Sequence, residues 1–168
     1  MSEYSFLQKV PLFEQFDESE LGRLDRLLVR TTFEPGELIL GDGQPNRALH
    51  IVRDGRVRVS RATDEGDVIL SDLPAGRTFG ELSILDGGTA SATLRALPRT
   101  VVLSLSFVDL NQILDDSPST AAKFWRAIAL DLRARLLQTN EVVQTYFAVN
   151  RNLVENPRFR EAYAMMAK

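Results

Sequence analysis

The stretch ALHIVRDGRVRVSR, residues 48–61, decides how the middle of this chain is read. Apolar residues alternate on both sides of Asp54-Gly55: Leu49 and Ile51 before it, Val57 and Val59 after it. A period of two is the pattern of a half-buried strand, and Asp-Gly favours a tight turn because its central positions accept positive φ. A β-hairpin centred on Asp54-Gly55 is therefore expected. Upstream, TTFEPGELIL (31–40) carries a Pro-Gly turn between two apolar pieces. Downstream, DVILSDLPAG (67–76) reads as a strand and a turn, and SATLRAL (91–97) and TVVLSLS (100–106) follow around a Pro-Arg corner. Several short strands with frequent turn signals imply a sandwich, jelly roll or barrel.

The flanks have a different texture. Asp17 followed by Glu20 is a capping-box start, and Leu21, Leu24, Leu27 and Leu28 recur at helical spacing after it. Phe6, Leu7, Val10, Leu12, Phe13 and Phe16 supply apolar anchors ahead of that helix. After the strands, Ser106 with Asp109 opens a short helix carrying Phe107, Leu110 and Leu114, and Ser117-Pro118 breaks it. One long helix is then expected, with no Gly or Pro from Ser119 to Asn150. Along it Ala122, Trp125, Ala129, Leu132, Leu136, Thr139, Val143 and Tyr146 alternate spacings of three and four, a heptad seam. Its first turns are expected on the strand-rich domain and its later turns against a partner helix. Trp125 is read as a packing residue of that seam rather than a stacking platform. The organisation expected is a single domain over 1–168: helices over 1–30, a jelly roll over 31–105, helices over 106–150, and a short helical tail over 151–168 that restarts after Pro157.

Composition removes whole classes of function. The chain has 168 residues, a net charge of −3 and no cysteine, which excludes disulfides, thiol catalysis and thiolate zinc sites. The lone histidine, His50, cannot form a histidine cluster and reads as a strand residue. A pI near 5.3 argues against a large nucleic-acid footprint. The N-terminal stretch has neither a signal-peptide core nor a spanning helix, so a cytoplasmic location and no membrane are expected. No carboxylate pair, metal cluster or nucleophile–base set stands out, so the expectation is a protein that is not an enzyme.

The chemistry concentrates in FGELSILDGGTASATLRA, residues 79–96. Gly80 lets the backbone approach a ligand, and Glu81 to Leu85 is long enough for one helical turn whose free N–H groups attract anions. Glu81 suits a sugar hydroxyl better than a phosphate. Between Gly80 and Thr93 there is no Lys, Arg or His.

Phe79-Gly80-Glu81-Leu82-Ser83 and Ser91-Ala92-Thr93, with Phe33-Glu34-Pro35-Gly36-Glu37 and IVRDGRVRV upstream, resemble the cyclic nucleotide-binding domains of the CRP and protein kinase A regulatory-subunit type. The likeness covers about residues 5–145. It implies a mainly β fold with flanking α, a jelly roll (double-stranded β-helix), and a phosphate-binding cassette in which Glu81 meets the ribose 2′-hydroxyl. Backbone N–H groups near Gly80, Leu82 and Ser83 would face the cyclic phosphate, and Ser91 would donate to it. The family's Pro-Arg pair is replaced here by Thr89-Ala90, so the cassette is degenerate. A guanidinium makes bidentate, charge-assisted contacts that Ala90 cannot, which predicts about ten- to a hundredfold weaker binding. Arg95 lies on Ser91's side of an extended strand but roughly 13 Å further along, and a surface role is the reading for it.

The function expected is a non-catalytic regulatory or signalling module with cyclic-nucleotide binding weakened or lost. Two alternatives stand beside it: a cAMP or cGMP sensor that still binds, and a protein–protein adaptor. Homodimerisation is expected through Trp125, Leu132, Leu136 and Val143. About twenty residues follow the long helix, which is short for a helix-turn-helix, so no DNA-binding domain is expected.

Overall fold

The computed structural model describes residues 3–155 apart from Glu65 and Gly87. The chain divides into two compact units, Met1–Ile128 and Ala129–Lys168. The first opens with α1 (Tyr4–Leu7), a 3₁₀ turn at Pro11–Phe13, and α2 (Glu18–Asp25). Eight strands follow: β1 (Val29–Phe33), β2 (Leu38–Leu40), β3 (Ala48–Asp54), β4 (Arg56–Thr63), β5 (Gly66–Pro74), β6 (Thr78–Phe79), β7 (Thr93–Ala96) and β8 (Thr100–Ser106). A short helix, α3 (Leu82–Asp86), separates β6 from β7, and α4 (Phe107–Asp116) and α5 (Pro118–Glu155) complete the described chain.

The strands form two antiparallel sheets, ordered β1-β8-β3-β6 and β2-β7-β4-β5. This arrangement overturns the expected hairpin at Asp54-Gly55. β3 pairs with β6 and β8, whereas β4 pairs with β5 and β7, so the chain crosses from one sheet to the other at Gly55. Gly55 alone takes positive φ there, +85°, and no non-glycine residue among those described does. A Cβ at Gly55 would lie 2.6 Å from Thr100 Oγ1 and 2.7 Å from the Arg99 carbonyl oxygen. The glycine is needed for a sheet-to-sheet corner pressed on the start of β8. The hairpin of this region is instead β4–β5, whose last pair is Thr63 with Gly66.

Between the sheets lies a core of Val52, Val57, Leu73, Phe79, Leu94 and Val102. Ile51 pairs with Leu103 one step from the Val52–Val102 pair, so those two side chains turn to the opposite face. They are as buried as the sandwich residues, and so are Leu49 and Leu105. The helices therefore have to cover that face, for which Leu7, Val10, Phe13, Leu110 and Phe124 are available, all essentially inaccessible.

Helix starts follow the sequence signals. Asp17 accepts from the Glu20 N–H, and Glu20 returns a carboxylate to the Asp17 N–H. Ser106 caps α4 by accepting from the Asp109 N–H. Glu20 also accepts from Thr120 Oγ1 at 2.6 Å and Lys123 Nζ at 2.8 Å, which ties α2 to the first turns of α5. Arg23 pairs with Asp116 at the α4–α5 corner, 2.6 Å apart. At the other end Glu3 joins Arg30 and Arg53, fastening α1 to β1 and β3.

The first turns of α5 correct the seam expectation. The buried side is Thr120, Phe124 and Ile128, four residues apart, while Ala122 and Ala129 face solvent. Phe124 fills the core, and Trp125 stands edge-on to it at 5.0 Å with 39% of its surface exposed. One residue is 100° of rotation on a helix, so the heptad seam does not lie on the sheet. In the second unit α5 is continuous to Glu155, so residues 151–155 extend it. The tail helix expected after Pro157 falls outside the described residues.

Candidate functional site

The candidate site is built around the β6–α3 junction. β6 is held by two ladder pairs, His50 with Phe79 and Ile51 with Thr78. The chain then turns at Gly80 with φ +84°, a left-handed conformation favouring glycine. A Cβ there would sit 2.5 Å from Asn46 Nδ2 and 2.8 Å from the Ala48 carbonyl oxygen. The expected helical turn forms as α3. It carries Leu82, which is exposed, and Ser83, which is buried. Ser83 donates its hydroxyl to the Thr89 carbonyl at 3.2 Å, so the turn and the far end of the segment are joined directly.

The six sequence-predicted residues fall into three environments. Glu81, Ser83 and Ala90 are buried, at 3%, 2% and 6% exposure. Gly80 is half-buried, and Leu82 and Ser91 face solvent. Ala90 has both backbone groups engaged: its N–H donates to the Gln44 carbonyl and its carbonyl accepts from the Gly43 N–H, each at 2.8 Å.

Three arginines of the neighbouring sheet have other partners. Arg95 donates to the Gly36 carbonyl at 3.2 Å. Arg58 grips Asp72 with two bonds at 2.9 and 3.0 Å, and Arg61 pairs with Asp42. Arg58 holds the Asp72 carboxyl below the usual carboxylate range. A cavity of about 230 Å³ lies elsewhere, lined by Arg23, Arg26, Leu27, Asp109, Gln112 and Ile113 from around α2 and α4. Among the described residues no group of three or more His, Asp or Glu is placed to hold a metal ion.

Sequence reasoning missed Asn46 and found no task for His50. Asn46 is 4% exposed and reaches the Gly80 carbonyl. His50 stacks on Phe79 with centroids 4.8 Å apart, and its nitrogens meet Ser104 Oγ at 2.8 Å and Asn46 Oδ1 at 3.1 Å. Burial pushes the His50 imidazole down to about 4. It stays neutral at physiological pH. A Pro-Asn pair in a loop signals a turn and nothing more; the contact to Gly80 spans 34 residues.

The comparisons with known proteins bear on the family and the fold. Residues 30–117 match the model of the cyclic nucleotide-binding domain family, and the chain belongs to that family. It is 31% identical over 124 residues to the Cyclic nucleotide-gated channel alpha-4 of Mus musculus, covering 70% of this chain and 21% of the channel. The crystal structure of the N-terminal domain of a transcriptional regulator from Streptomyces coelicolor is similar at 30% identity and TM-score 0.69, covering 77% of this chain and 93% of that one. A mutant regulatory subunit of a cAMP-independent protein kinase A from Trypanosoma brucei, bound to cAMP in its A site, shares the fold at 20% identity and TM-score 0.62, covering 99% of this chain and 50% of that one. The chain thus spans about a fifth of the channel relative. The jelly roll with flanking helices is the fold of these regulatory domains. Among the described residues no helix is long and apolar enough to cross a membrane.

Proposed function

We propose that this chain is a non-catalytic regulatory module whose cassette, Gly80–Ser91, binds cyclic nucleotide weakly or not at all. The observation that carries the reading is the missing countercharge. Ala90 stands where the cassette arginine would be, and the nearest strand's Arg95 is committed to Gly36. The buried Glu81 in the same segment is an acidic group and supplies no countercharge. The trypanosomal structure supports the same logic, because its cAMP-bound form is a mutant in which one change introduces an arginine. Residual binding would use Glu81 for the ribose 2′-hydroxyl, backbone N–H groups near Gly80, Leu82 and Ser83 for the phosphate, and Ser91 as a hydroxyl donor.

The output element in this reading is α5. Its surface carries Trp125, Leu136 and Val143 at 39%, 61% and 45% exposure, with Leu132 half-buried, and Leu130 and Leu137 widen the apolar stripe. A second copy of the helix would cover that stripe by heptad packing, giving a homodimer that acts on a protein partner in the cytoplasm.

A thermal-shift experiment with cAMP, cGMP and cyclic dinucleotides tests the proposal. A ligand that binds only the folded state stabilises it by RT ln(1 + [L]/Kd). At millimolar ligand, a millimolar site gives about 0.4 kcal/mol and roughly 1 °C, whereas a micromolar site gives about 4 kcal/mol and roughly 10 °C. The small shift is expected, and the large one overturns the proposal.

A further inference from the structure

The segment Gly41–Asn46 touches both ends of the cassette. Its own turn is closed by Gln44: the Gly41 N–H donates to Gln44 Oε1 at 2.9 Å and the Gln44 N–H to the Gly41 carbonyl at 3.0 Å. From that turn the backbone pairs with the cassette's far end. The Ala90 N–H donates to Gln44, the Gly43 N–H to Ala90, Pro45 bridges Thr89, and the Asn46 N–H reaches the Gly88 carbonyl at 3.4 Å. The near end is met by a side chain. Asn46 Nδ2 donates to the Ala48 carbonyl at 3.0 Å and to the Gly80 carbonyl at 3.4 Å.

The orientation of this amide follows from its neighbours. Nδ2 faces two carbonyls, and Oδ1 accepts from the Ala48 N–H at 3.2 Å. Because Oδ1 is an acceptor, His50 Nε2 must carry the proton and donate to it, and His50 Nδ1 then accepts from the Ser104 hydroxyl. A neutral imidazole fixed by the Phe79 stack therefore braces Asn46 from below. Reversing the amide would set an N–H₂ against the Ala48 N–H and an oxygen against two carbonyls, so one arrangement alone satisfies the cluster.

We infer that Asn46, braced by His50, is the positioning residue of the cassette: it grips Gly80 while its strap pairs with Thr89 and Ala90, holding both ends of the segment together whether or not nucleotide is bound. The inference deepens the reading that Gly80–Ser91 is the binding segment. It holds the two ends of that segment by contacts that do not depend on a ligand's charge. A cassette held this way has little closing left to do, which fits a domain whose output no longer follows cyclic nucleotide.

Amide hydrogen exchange on the full chain, with no nucleotide present, tests it. Asn46→Ala removes the grip on Gly80 and the acceptor for His50. Exchange of the Gly43 and Ala90 amides is expected to rise at least about tenfold, with the Val101–Leu105 amides of β8 keeping wild-type protection. His50→Phe keeps a ring on Phe79 without the bonds to Asn46 and Ser104, and is expected to raise the same amides by a smaller factor. Should Asn46→Ala not fold, His50→Phe carries the same two outcomes. Unchanged exchange at Gly43 and Ala90, or an equal rise throughout β8, overturns the inference. Neither result depends on nucleotide binding, so the strap and the weak-binding proposal stand or fall separately.

Discussion

In the proposed reading, replacing Ala90 with arginine supplies the countercharge of the cassette, and the size of its effect can be worked out. The backbone of residue 90 is fixed by two bonds of 2.8 Å to Gly43 and Gln44 and the residue is 6% exposed, so an arginine there has to carry its guanidinium outward past packed neighbours to meet a ligand. A guanidinium on a cyclic phosphate makes a charge-assisted contact worth about 1.5–3 kcal/mol, or roughly ten- to a hundredfold in affinity. Titration calorimetry of wild-type, Ala90→Arg and Ala90→Lys with cAMP and cGMP provides the comparison. Arginine is expected to gain the most, because its planar fork binds two phosphate oxygens and an ammonium is a point charge. Part of the gain should fade as salt is raised, since the cassette opens to solvent at Leu82 and Ser91. A folded Ala90→Arg protein with no gain for either nucleotide would refute the placement of residue 90 beside the phosphate.

Other consequences are accessible to routine measurements. Changing Leu132 and Leu136 together to glutamate should yield monomers by light scattering, and a mass unchanged from wild type would remove the α5 seam as an interface. Gly80→Ala should destabilise the fold by about 2–4 kcal/mol in urea, from left-handed strain plus the collision with Asn46 and Ala48; a loss below about 1 kcal/mol would show that the strap yields. His50 has its folded pKa near 4, below its ordinary 6.5, because burial disfavours the charged ring. The unfolded chain therefore takes up the proton first, and stability falls as pH drops from about 6.5 toward 4. The full loss is roughly 3 kcal/mol, and His50→Phe should flatten that part of the curve. An identical pH profile in the variant would contradict the assignment. Glu20 adds a separate acid-sensitive step: its burial is outweighed by Lys123, Thr120 and Asp17, so its pKa is lowered and its contribution is lost as pH falls below the carboxylate range.

Local signals in the sequence marked where elements begin and end, because those signals act over three or four residues. The Asp17–Glu20 capping box, the Ser106–Asp109 cap, the break at Ser117-Pro118 and the turn after Glu81 all appear where the residue types put them. Asp54-Gly55 marks a bend equally well, yet a bend does not name the strand that will pair. β3 finds β8, some fifty residues away, because burying Ile51 and Val52 on two faces needs a central strand. The long helix shows a similar limit. Its sequence carries two apolar rows, and the bulk of Phe124 and Ile128 decides which one enters the core. Asn46 was invisible for the same reason: its partners at Gly80 and Gly88 come together only when the jelly roll closes.

The most direct test of the missing countercharge is an NMR titration of the unmodified chain with cAMP and cGMP, following the amides of Gly80, Ser83 and Ser91. The account predicts shifts in fast exchange with a dissociation constant weaker than about 100 µM, or no shifts at all. Saturation in slow exchange at stoichiometric nucleotide, with the changes centred on those amides, would contradict it.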